Sequence, residues 1–222
     1  MNRYVKFTKV DYMILESYKS VIEGLSEYLG QGYEFVLHSL EDIDNSAIKV
    51  INGHYTNRKE GAPLTDFAMK ILTEIKKSGD NHKNFVYFNR NQKGVPIRSA
   101  TFPITGENKQ IIGLLCINFY MDISLSSFFD SFLKIDQANN DVQIVETFAS
   151  NSDELILAST DQAKAEILNN PNISATNKNR EIISILNQKG IFQLKDAVTQ
   201  VASILGVSKN TVYLHLRNIS NQ

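Results

Sequence analysis

Apolar and polar positions follow two different rhythms along the chain, and the changes between them predict its elements. Residues 11–29 carry apolar side chains three or four positions apart and are followed by Gly30, which predicts an amphipathic helix. Residues 33–40 and 47–51 have the pattern of short strands, and residues 64–77 that of a second helix. The buried stripe of the first helix is expected at Met13, Ile14, Tyr18, Val21, Ile22, Leu25 and Leu29, and that of the second at Phe67, Ala68, Ile71, Leu72 and Ile75.

Three more strand-like runs follow, at residues 84–89, 97–104 and 110–122, joined by turns of hairpin length that are rich in Gly and Asn. The order of helix, two strands, helix and three hairpin-linked strands predicts an α+β domain, with one antiparallel sheet and its helices on one face. The repeated alternation of strand and helix that a nucleotide-binding α/β sheet needs is absent from the sequence. Helical patterns then begin again at about Leu125.

Residues 197–221 have the pattern of two short helices around a tight turn. The first helix has one apolar stripe, formed by Val198, Val201, Ala202 and Leu205. Gly206 follows where a left-handed residue would end that helix, and Ser208 is a suitable N-cap for the next. Val212 and Leu216 give the second helix its own inward stripe. With a further helix expected at residues 178–189, the pattern predicts a three-helix unit containing a helix-turn-helix.

The outward face of the last helix carries hydrogen-bond donors and acceptors and no acidic group. Such a face suits the major groove of DNA and the phosphates beside it. The residues expected to contact DNA are Ser208, Lys209, Asn210, Thr211, Tyr213 and Arg217. Two alternatives stay open: a helical hairpin that only packs on its own domain, and a tail that contacts a protein through the outward-facing Leu214.

The net charge of the chain is close to zero, but positive charge is concentrated in the C-terminal part, where the DNA-contacting helix is expected. Of the 222 residues 42% are hydrophobic and 21% are charged, and the formal net charge is −1, as in an ordinary soluble protein. From residue 160 onward, seven Lys and Arg residues stand against four Asp and Glu residues. This positive surplus is small, so we expect a homodimer to be needed for binding to double-stranded DNA.

The sequence also predicts where the protein works. No apolar run approaches the roughly 18 residues of a membrane span, and the N-terminus has no apolar signal core. The single cysteine, Cys116, excludes an intrachain disulfide framework and is consistent with a reducing compartment. We therefore expect a cytoplasmic protein with no membrane partner.

Several longer strings resemble the bacterial YheO-like PAS regulators. They are EFVLHSL at residues 34–40, INGHYTNRKEGAPLTDFA at residues 51–68, IRSATFPIT at residues 97–105 and IIGLLCINF at residues 111–119. The tail from Gly190 through Ser208 to Tyr213 resembles the same family. The resemblance implies a PAS-like sensor domain, a C-terminal helix-turn-helix and the role of a transcriptional regulator. Leu214 departs from the pattern, because a polar residue is more usual at that place in a reading helix.

Three parts are expected along the chain: a PAS-like sensor domain at residues 1–123, a helical linker at residues 124–159 and the helix-turn-helix domain at residues 160–222. The linker begins with an apolar helical stripe, formed by Phe128, Phe129, Phe132 and Leu133. One interpretation is that this stripe packs on the sensor or on a dimer mate and transmits ligand binding. The other is that it only covers the sheet.

The motifs of the common enzyme classes are missing. The sequence has no phosphate loop, no dinucleotide-binding glycine pattern, no nucleophile elbow and no His-Glu-x-x-His zinc motif. We therefore predict no catalytic residues. His38, His54 and Cys116 could converge on a metal ion, but core packing is favoured for Cys116 and hydrogen-bonded packing for His38, so we predict no metal site.

Polar residues inside the apolar strands and beside their turns are the candidates for a small-molecule site. Asn118 shares a strand face with Ile112, Leu114 and Cys116, where a buried amide needs partners from the domain or from a ligand. Arg58 or Arg98 could hold the carboxylate of an effector through paired hydrogen bonds. The ligand-binding candidates are His38, Asn52, His54, Arg58, Arg98, Ser99 and Asn118. Satisfying backbone groups is the alternative role for each, and the residues leave the effector and any cofactor open.

Overall fold

The computed structural model describes residues 6–79, 83–91, 93–133 and 146–220, and the chain divides into two compact units, residues 1–140 and 141–222. The first unit contains, in chain order, helix α1 (Lys9–Leu29), strands β1 (Tyr33–Ser39) and β2 (Ala47–Ile51), helix α2 (Asp66–Ser78), strands β3 (Phe85–Arg90), β4 (Pro96–Thr105) and β5 (Ile111–Tyr120), and helix α3 (Leu125–Leu133). The second contains helices α4 (Ser152–Leu168), α5 (Lys178–Gln188), α6 (Ala197–Leu205) and α7 (Lys209–Ser220).

The five strands form one antiparallel sheet in the order β2-β1-β5-β4-β3. Cys116 of β5 lies opposite Val36 of β1 on one side and opposite Thr101 of β4 on the other, so β5 pairs along both of its edges. The predicted α+β fold, with an antiparallel sheet and flanking helices, is confirmed.

Helices cover both faces of this sheet, so the predicted placement on one face is wrong. Helix α1 packs on one face, where Leu15 and Ile22 join Phe35 in a buried cluster. On the other face, Leu72 of α2 joins Val36 in a second cluster. The reason is that β1 and β5 are buried along both faces, and a strand that is apolar on both faces needs a cover on each side.

Helix α1 makes contact with the sheet along a narrower stripe than predicted. Ile22 is fully buried, but Met13 is 61% exposed and Val21 is 53% exposed, contrary to expectation. Both residues lie on the flank of the helix that turns away from the sheet. In α2, Phe67 is also more exposed than predicted, because it lies in the first turn, where its ring packs against Tyr87 at 4.5 Å between centroids.

A bulge near the start of β5 corrects one further expectation. Ile104 lies opposite Gly113 and Thr105 lies opposite Ile111, so Ile112 is left between the two pairs. Ile112 therefore packs in the cluster beneath α1, whereas Cys116 packs in the cluster beneath α2. The face predicted for Asn118 is shared with Cys116 and not with Ile112.

The start of α1 is tied to the β4–β5 hairpin through Asp11. The Asp11 carboxylate accepts hydrogen bonds from the backbone N–H of Thr8 at 2.8 Å and of Glu107 at 2.9 Å, while the Thr8 hydroxyl accepts from the backbone N–H of Asp11. This capping box fixes where the helix begins. Burial would raise the pKa of Asp11, but these hydrogen bonds outweigh it and hold the pKa below its ordinary value.

Helix α3 lies against the end of α1, and its large apolar side chains are partly packed and partly exposed. The Phe128 ring packs edge-on against Phe119 of β5 at 5.6 Å between centroids. Phe129 and Leu133 are exposed. The side chain of Phe132 lies outside what the structure describes, so that part of the predicted stripe is not placed.

The second unit is all helical. Helix α4 crosses the predicted boundary at residues 159 and 160, and its Ile156 and Ala163 share a buried cluster with Leu186 of α5 and Val201 of α6. A second cluster joins α5, α6 and α7 through Ile183, Ala202 and Val212. The three-part division of the chain stays a prediction. Among the residues that the structure describes, no helix is long and apolar enough to cross a membrane.

Candidate ligand cavity and candidate DNA-reading helix

A cavity of ≈ 740 Å³ opens between the α2 face of the sheet, strand β3 and the loop that precedes α2. We call it the sheet cavity. Its size lies within the range of small-molecule sites in proteins. The side chains that decide its chemistry are Tyr55, Arg58, Phe67, Tyr87, Asn118 and Tyr120.

A row of polar side chains crosses the sheet beneath this cavity. Tyr87, Ser99, Asn118 and Glu34 lie opposite one another on β3, β4, β5 and β1, and we call them the polar row. The Ser99 hydroxyl donates to Asn118 Oδ1 at 2.7 Å, and Asn118 Nδ2 donates to Glu34 Oε2 at 2.7 Å. The Thr56 hydroxyl donates to the other oxygen of Glu34. The predicted pair Ser99 and Asn118 is therefore brought together.

Glu34 is one of the site residues that sequence reasoning missed; Tyr87 and Tyr120 are others. The side chain of Glu34 is fully buried, although carboxylates are rarely found inside proteins without partners. A signal for it was available. Glu34 has the same strand parity as Val36 and His38, so it had to face the interior if they did.

The loop conformation at residues 52–58 places Arg58 at the cavity. The backbone N–H of Arg58 donates to the carbonyl of Gly53 at 3.0 Å, and a Cβ on Gly53 would lie 2.3 Å from the Arg58 carbonyl oxygen. Only glycine permits this close approach. Asn52 adopts a left-handed conformation, with φ of 57°, and its Nδ2 donates to the Tyr33 carbonyl at 2.8 Å. Asn52 thus satisfies a backbone group and does not line the sheet cavity.

Tyr120 closes the floor of the cavity beside Arg58. Its side chain is 2% exposed, and its ring stacks on Tyr55 at 4.4 Å between centroids. The Tyr120 hydroxyl is buried and has no hydrogen-bond partner among the described residues. Burial, with the nearby charge of Glu34, raises the pKa of this phenol, so it stays protonated and can donate.

His38 lies in the core and does not line the sheet cavity. Its Nδ1 forms a hydrogen bond with the Ser46 hydroxyl at 2.8 Å, in agreement with the predicted packed role, while Nε2 is buried without a partner among the described residues. Burial, with the positive charge of Arg58 second, lowers the pKa of His38 to about 4. The imidazole is therefore neutral at physiological pH.

Cys116 is buried next to Thr101, as predicted for a core residue. Burial raises the pKa of its thiol, which makes it a poor nucleophile. His54 is exposed and packs on Tyr55 at 4.2 Å between ring centroids. Within the described ranges, no group of three His, Cys, Asp or Glu side chains is arranged to hold a metal ion.

The structure does not place Arg98 at the sheet cavity, where Arg58 lies. Arg98 is exposed on β4, where the alternation of the strand turns it away from Ser99, and it does not line the sheet cavity. Of the seven predicted ligand-binding residues, the cavity lining therefore includes His54, Arg58 and Asn118, with Ser99 directly behind Asn118.

A second, larger hollow of ≈ 900 Å³ lies at the end of α1, between Gly30, Tyr55 and Ser131. It is lined by Asn52 and His54 but by none of the polar row. The sheet cavity is the better candidate site, because buried polar groups border it.

In the second unit, the turn between α6 and α7 has the geometry that its residues predict. Gly206 is left-handed, with φ of 64°, and its N–H donates to the Ser203 carbonyl, while the N–H of Val207 donates to the Ala202 carbonyl at 2.9 Å. This hydrogen-bond pair ends α6 in a Schellman motif. Ser208 then caps α7, since its hydroxyl accepts from the backbone N–H of Thr211 at 3.1 Å. Both capping predictions are confirmed.

Helix α7 is anchored by one side and exposed on the other. Val212 is fully buried in the cluster shared with α5 and α6. The exposed side chains on the opposite face are Lys209, Asn210, Tyr213, Leu214, Arg217 and Asn218. Thr211 is half-buried, and its hydroxyl forms a hydrogen bond with Ser208 at 2.8 Å, which turns it towards the cap. The outward face holds two cations and no carboxylate.

The family of the chain follows from its sequence matches. A model described as the YheO-like PAS domain matches residues 8–134, and one described as an HTH domain matches residues 159–217. The chain belongs to the YheO-like PAS domain family. The predicted order of a PAS-like domain followed by a helix-turn-helix is confirmed, and both matched domains are regulatory modules.

Several relatives match the chain over nearly its whole length. An uncharacterized protein of Haemophilus influenzae is 36% identical over 222 residues, covering 100% of this chain and 98% of its own length. The uncharacterized protein YheO of Escherichia coli is 38% identical over 215 residues, covering 97% of this chain and 88% of its own length. The transcriptional regulator DauR of Pseudomonas aeruginosa is 24% identical over 211 residues, covering 92% and 94%.

Proposed function

We propose that this protein is a cytoplasmic, homodimeric transcriptional regulator. It binds double-stranded DNA through α7 and senses a small molecule in the sheet cavity. The observation that carries the proposal is the exposed face of α7, which holds Lys209, Asn210, Tyr213 and Arg217 without any acidic residue. The relationship to a transcriptional regulator that covers nearly the whole chain supports it. We assign no catalytic role to any residue.

The geometry around α7 suits a recognition helix in the major groove. The left-handed Gly206 and the cap at Ser208 hold α7 at a fixed angle to α6, and Val212 locks its inner side against the shared core. Lys209 lies in the first turn, and Arg217 lies two turns later on the exposed side. Side chains at both ends of such a face can neutralise phosphates while Asn210 and Tyr213 reach base edges.

The homodimer follows from the small size of this face. Two copies would read half-sites about one helical turn of DNA apart, or a multiple of it. The surface proposed to bind the second copy is an exposed stripe along α1, which we call the α1 stripe. It is formed by Val10, Met13, Val21, Gly24 and Tyr28. Apart from the adjoining backbone of α1 itself, no atom of the described residues lies within 4 Å of the place where a Cβ of Gly24 would be.

Glycine in the middle of a helix costs about 0.5–1 kcal/mol relative to alanine. Within the described part of this chain, no neighbour of Gly24 requires that cost. A second α1 helix packed closely across the stripe would explain the glycine, because a small residue lets two helix backbones approach each other. We therefore assign the α1 stripe to a second copy of this chain.

Selection from genomic fragments followed by fluorescence anisotropy tests the DNA assignment. Substituting Lys209→Ala together with Arg217→Ala should weaken binding to the selected site by roughly tenfold or more while leaving the circular dichroism spectrum intact. The matched control is Lys164→Ala with Lys178→Ala, which removes the same charge from α4 and α5. Equal binding by both double variants would refute the assignment of α7.

A partner protein in place of DNA is the second candidate, and one observation favours it. Leu214 is 54% exposed on the same face of α7. A contact with an apolar protein surface would depend on Leu214 and would change little with salt. Binding that Leu214→Ala abolishes and Lys209→Ala spares would favour this candidate over DNA.

A further inference from the structure

The sheet cavity offers hydrogen-bond donors, and the side-chain acceptors of Asn118 and Glu34 in the polar row already have partners. In the polar row, Asn118 Oδ1 is taken by Ser99 and both oxygens of Glu34 are taken by Asn118 and Thr56. An amide nitrogen carries two hydrogens, and only one of those on Asn118 donates to a described residue. The remaining N–H of Asn118 is therefore a donor available on the cavity wall.

Tyr120 adds a second and sharper signal. Its hydroxyl is buried at the cavity floor and lacks a partner among the described residues, although buried hydroxyls in native proteins almost always have one. Since the stacked Tyr55 ring holds Tyr120 in place, the hydroxyl cannot simply swing into water. A ligand atom that accepts a hydrogen bond would satisfy it.

The charges around the cavity have the same preference. Among the described residues that line it, the cations Arg58, Arg90 and Lys93 stand against one carboxylate, Asp66, which accepts a hydrogen bond from the backbone N–H of Phe67. The carboxylate of Glu34 lies behind Asn118 and is already held by Asn118 and Thr56. No carboxylate of the described residues forms an ion pair with Arg58. A guanidinium without a carboxylate partner, beside two neutral donors, matches the paired oxygens of a carboxylate.

The walls favour a flat apolar body. The rings of Tyr55, Phe67, Tyr87 and Tyr120 and the side chain of Ile97 surround the donors. Aromatic faces pack on planar groups with offset or edge-on geometry. A planar ring in the ligand would pack against these faces.

We infer that the sheet cavity binds a small aromatic monocarboxylate, whose carboxylate is held by Arg58 and the Tyr120 hydroxyl and whose ring packs among Tyr55, Phe67 and Tyr87. The inference rests on the proposed sensing function and adds to it the chemical class of the effector. The second N–H of Asn118 completes the donor set. Asn118 acts as a positioned donor because Ser99 and Glu34 fix its orientation.

Titration calorimetry on the full chain tests this with matched probes: benzoate, phenylacetate and cinnamate, each against its neutral amide. The expected result is that at least one carboxylate binds at concentrations up to about 10 mM and exceeds its amide at least tenfold in affinity. Arg58→Gln should remove that preference. Arg98→Gln is the control, because Arg98 is an exposed arginine of the same sheet that does not line the cavity, and it should change affinity less than twofold.

Tyr120→Phe separates a binding role from a structural one. Loss of an unpartnered hydroxyl should leave the thermal midpoint of the ligand-free protein unchanged or higher, while the affinity for the carboxylate falls severalfold. The inference is overturned if no carboxylate is preferred over its amide, or if Arg58→Gln and Tyr120→Phe leave binding unchanged. DNA binding is measured on the same protein without ligand, so a failure here leaves the DNA assignment standing and can be told apart from its failure.

Discussion

Asn118 Nδ2 donates to Glu34 Oε2 at 2.7 Å between the paired strands β5 and β1, where Glu34 is fully buried. A buried carboxylate that loses a donor keeps the cost of leaving water without its compensation. Asn118→Leu alone should therefore destabilise the protein by about 1–3 kcal/mol. The free energy of unfolding in urea measures this.

A double-mutant cycle shows whether the cost belongs to this pair. Glu34→Leu combined with Asn118→Leu removes both partners, so it should cost less than the two single changes added together, by about 1 kcal/mol or more. Strictly additive costs would contradict a coupled pair and leave the two residues as independent core positions.

His38 should make the stability of the protein depend on pH. Burial and the charge of Arg58 lower its pKa from 6.5 to about 4, so the unfolded chain binds a proton where the folded chain does not. Stability is thus fully present above pH 6.5 and is lost as the pH falls from 6.5 towards 4.

Between about pH 7.5 and about pH 5, His38 should contribute a loss of about 2 kcal/mol in unfolding free energy. His38→Asn keeps a polar group near Ser46 but does not titrate, so its stability should fall less over the same interval. Urea denaturation at the two pH values gives the comparison. Parallel curves for the two proteins would show that His38 is not the titrating group.

Gly24→Ala should have opposite effects on the stability of the single chain and on the affinity of the proposed dimer. Within one copy, the added methyl group meets open space, so the monomer should gain up to about 1 kcal/mol in unfolding free energy. Across a close helix–helix contact, the same methyl group would push the two helices apart and weaken the dimer. Sedimentation equilibrium measures the dissociation constant, with Tyr28→Ser as a second probe of the α1 stripe. A dimer that both variants leave unaltered would place its interface elsewhere.

Phe128 and Phe129 should differ sharply when each is shortened. The Phe128 ring packs on Phe119, whereas Phe129 is 54% exposed. We expect Phe128→Ala to cost about 1–3 kcal/mol and Phe129→Ala less than about 1 kcal/mol. If α3 also transmits ligand binding, Phe128→Ala should reduce the effect of a bound carboxylate on DNA affinity while dimerisation persists. Intact coupling would leave Phe128 as an ordinary core residue.

Local signals explain why the helix-turn-helix could be predicted closely. Gly206 and Ser208 determine the turn through their own backbone and side-chain geometry. The last residue of α6 and the first of α7 can therefore be predicted from residues next to them in the sequence. The strands were equally accessible, because alternation and turn residues define them within a few positions.

The candidate site depended on contacts that sequence distance hides. Glu34 and Asn118 are 84 residues apart, and nothing local indicates that they meet. Arg58 and Arg98 were equal candidates as carboxylate-binding residues, and only the folded loop places Arg58 at the cavity while β4 turns Arg98 outward. The presence of helices on both faces of the sheet was also not predicted, although the continuous apolar runs in β1 and β5 indicate it.

The salt dependence of DNA affinity tests the central claim most directly. For the wild-type protein on its selected site, the logarithm of the association constant should fall steeply with the logarithm of salt concentration, by about 0.9 for each phosphate neutralised. Lys209→Ala with Arg217→Ala should lower that slope by about two for a single chain and by about four for the proposed dimer, because each chain loses two cations from the exposed face of α7. A slope near zero, or a slope that the double variant leaves unchanged, would contradict the assignment of α7 as the helix that reads DNA.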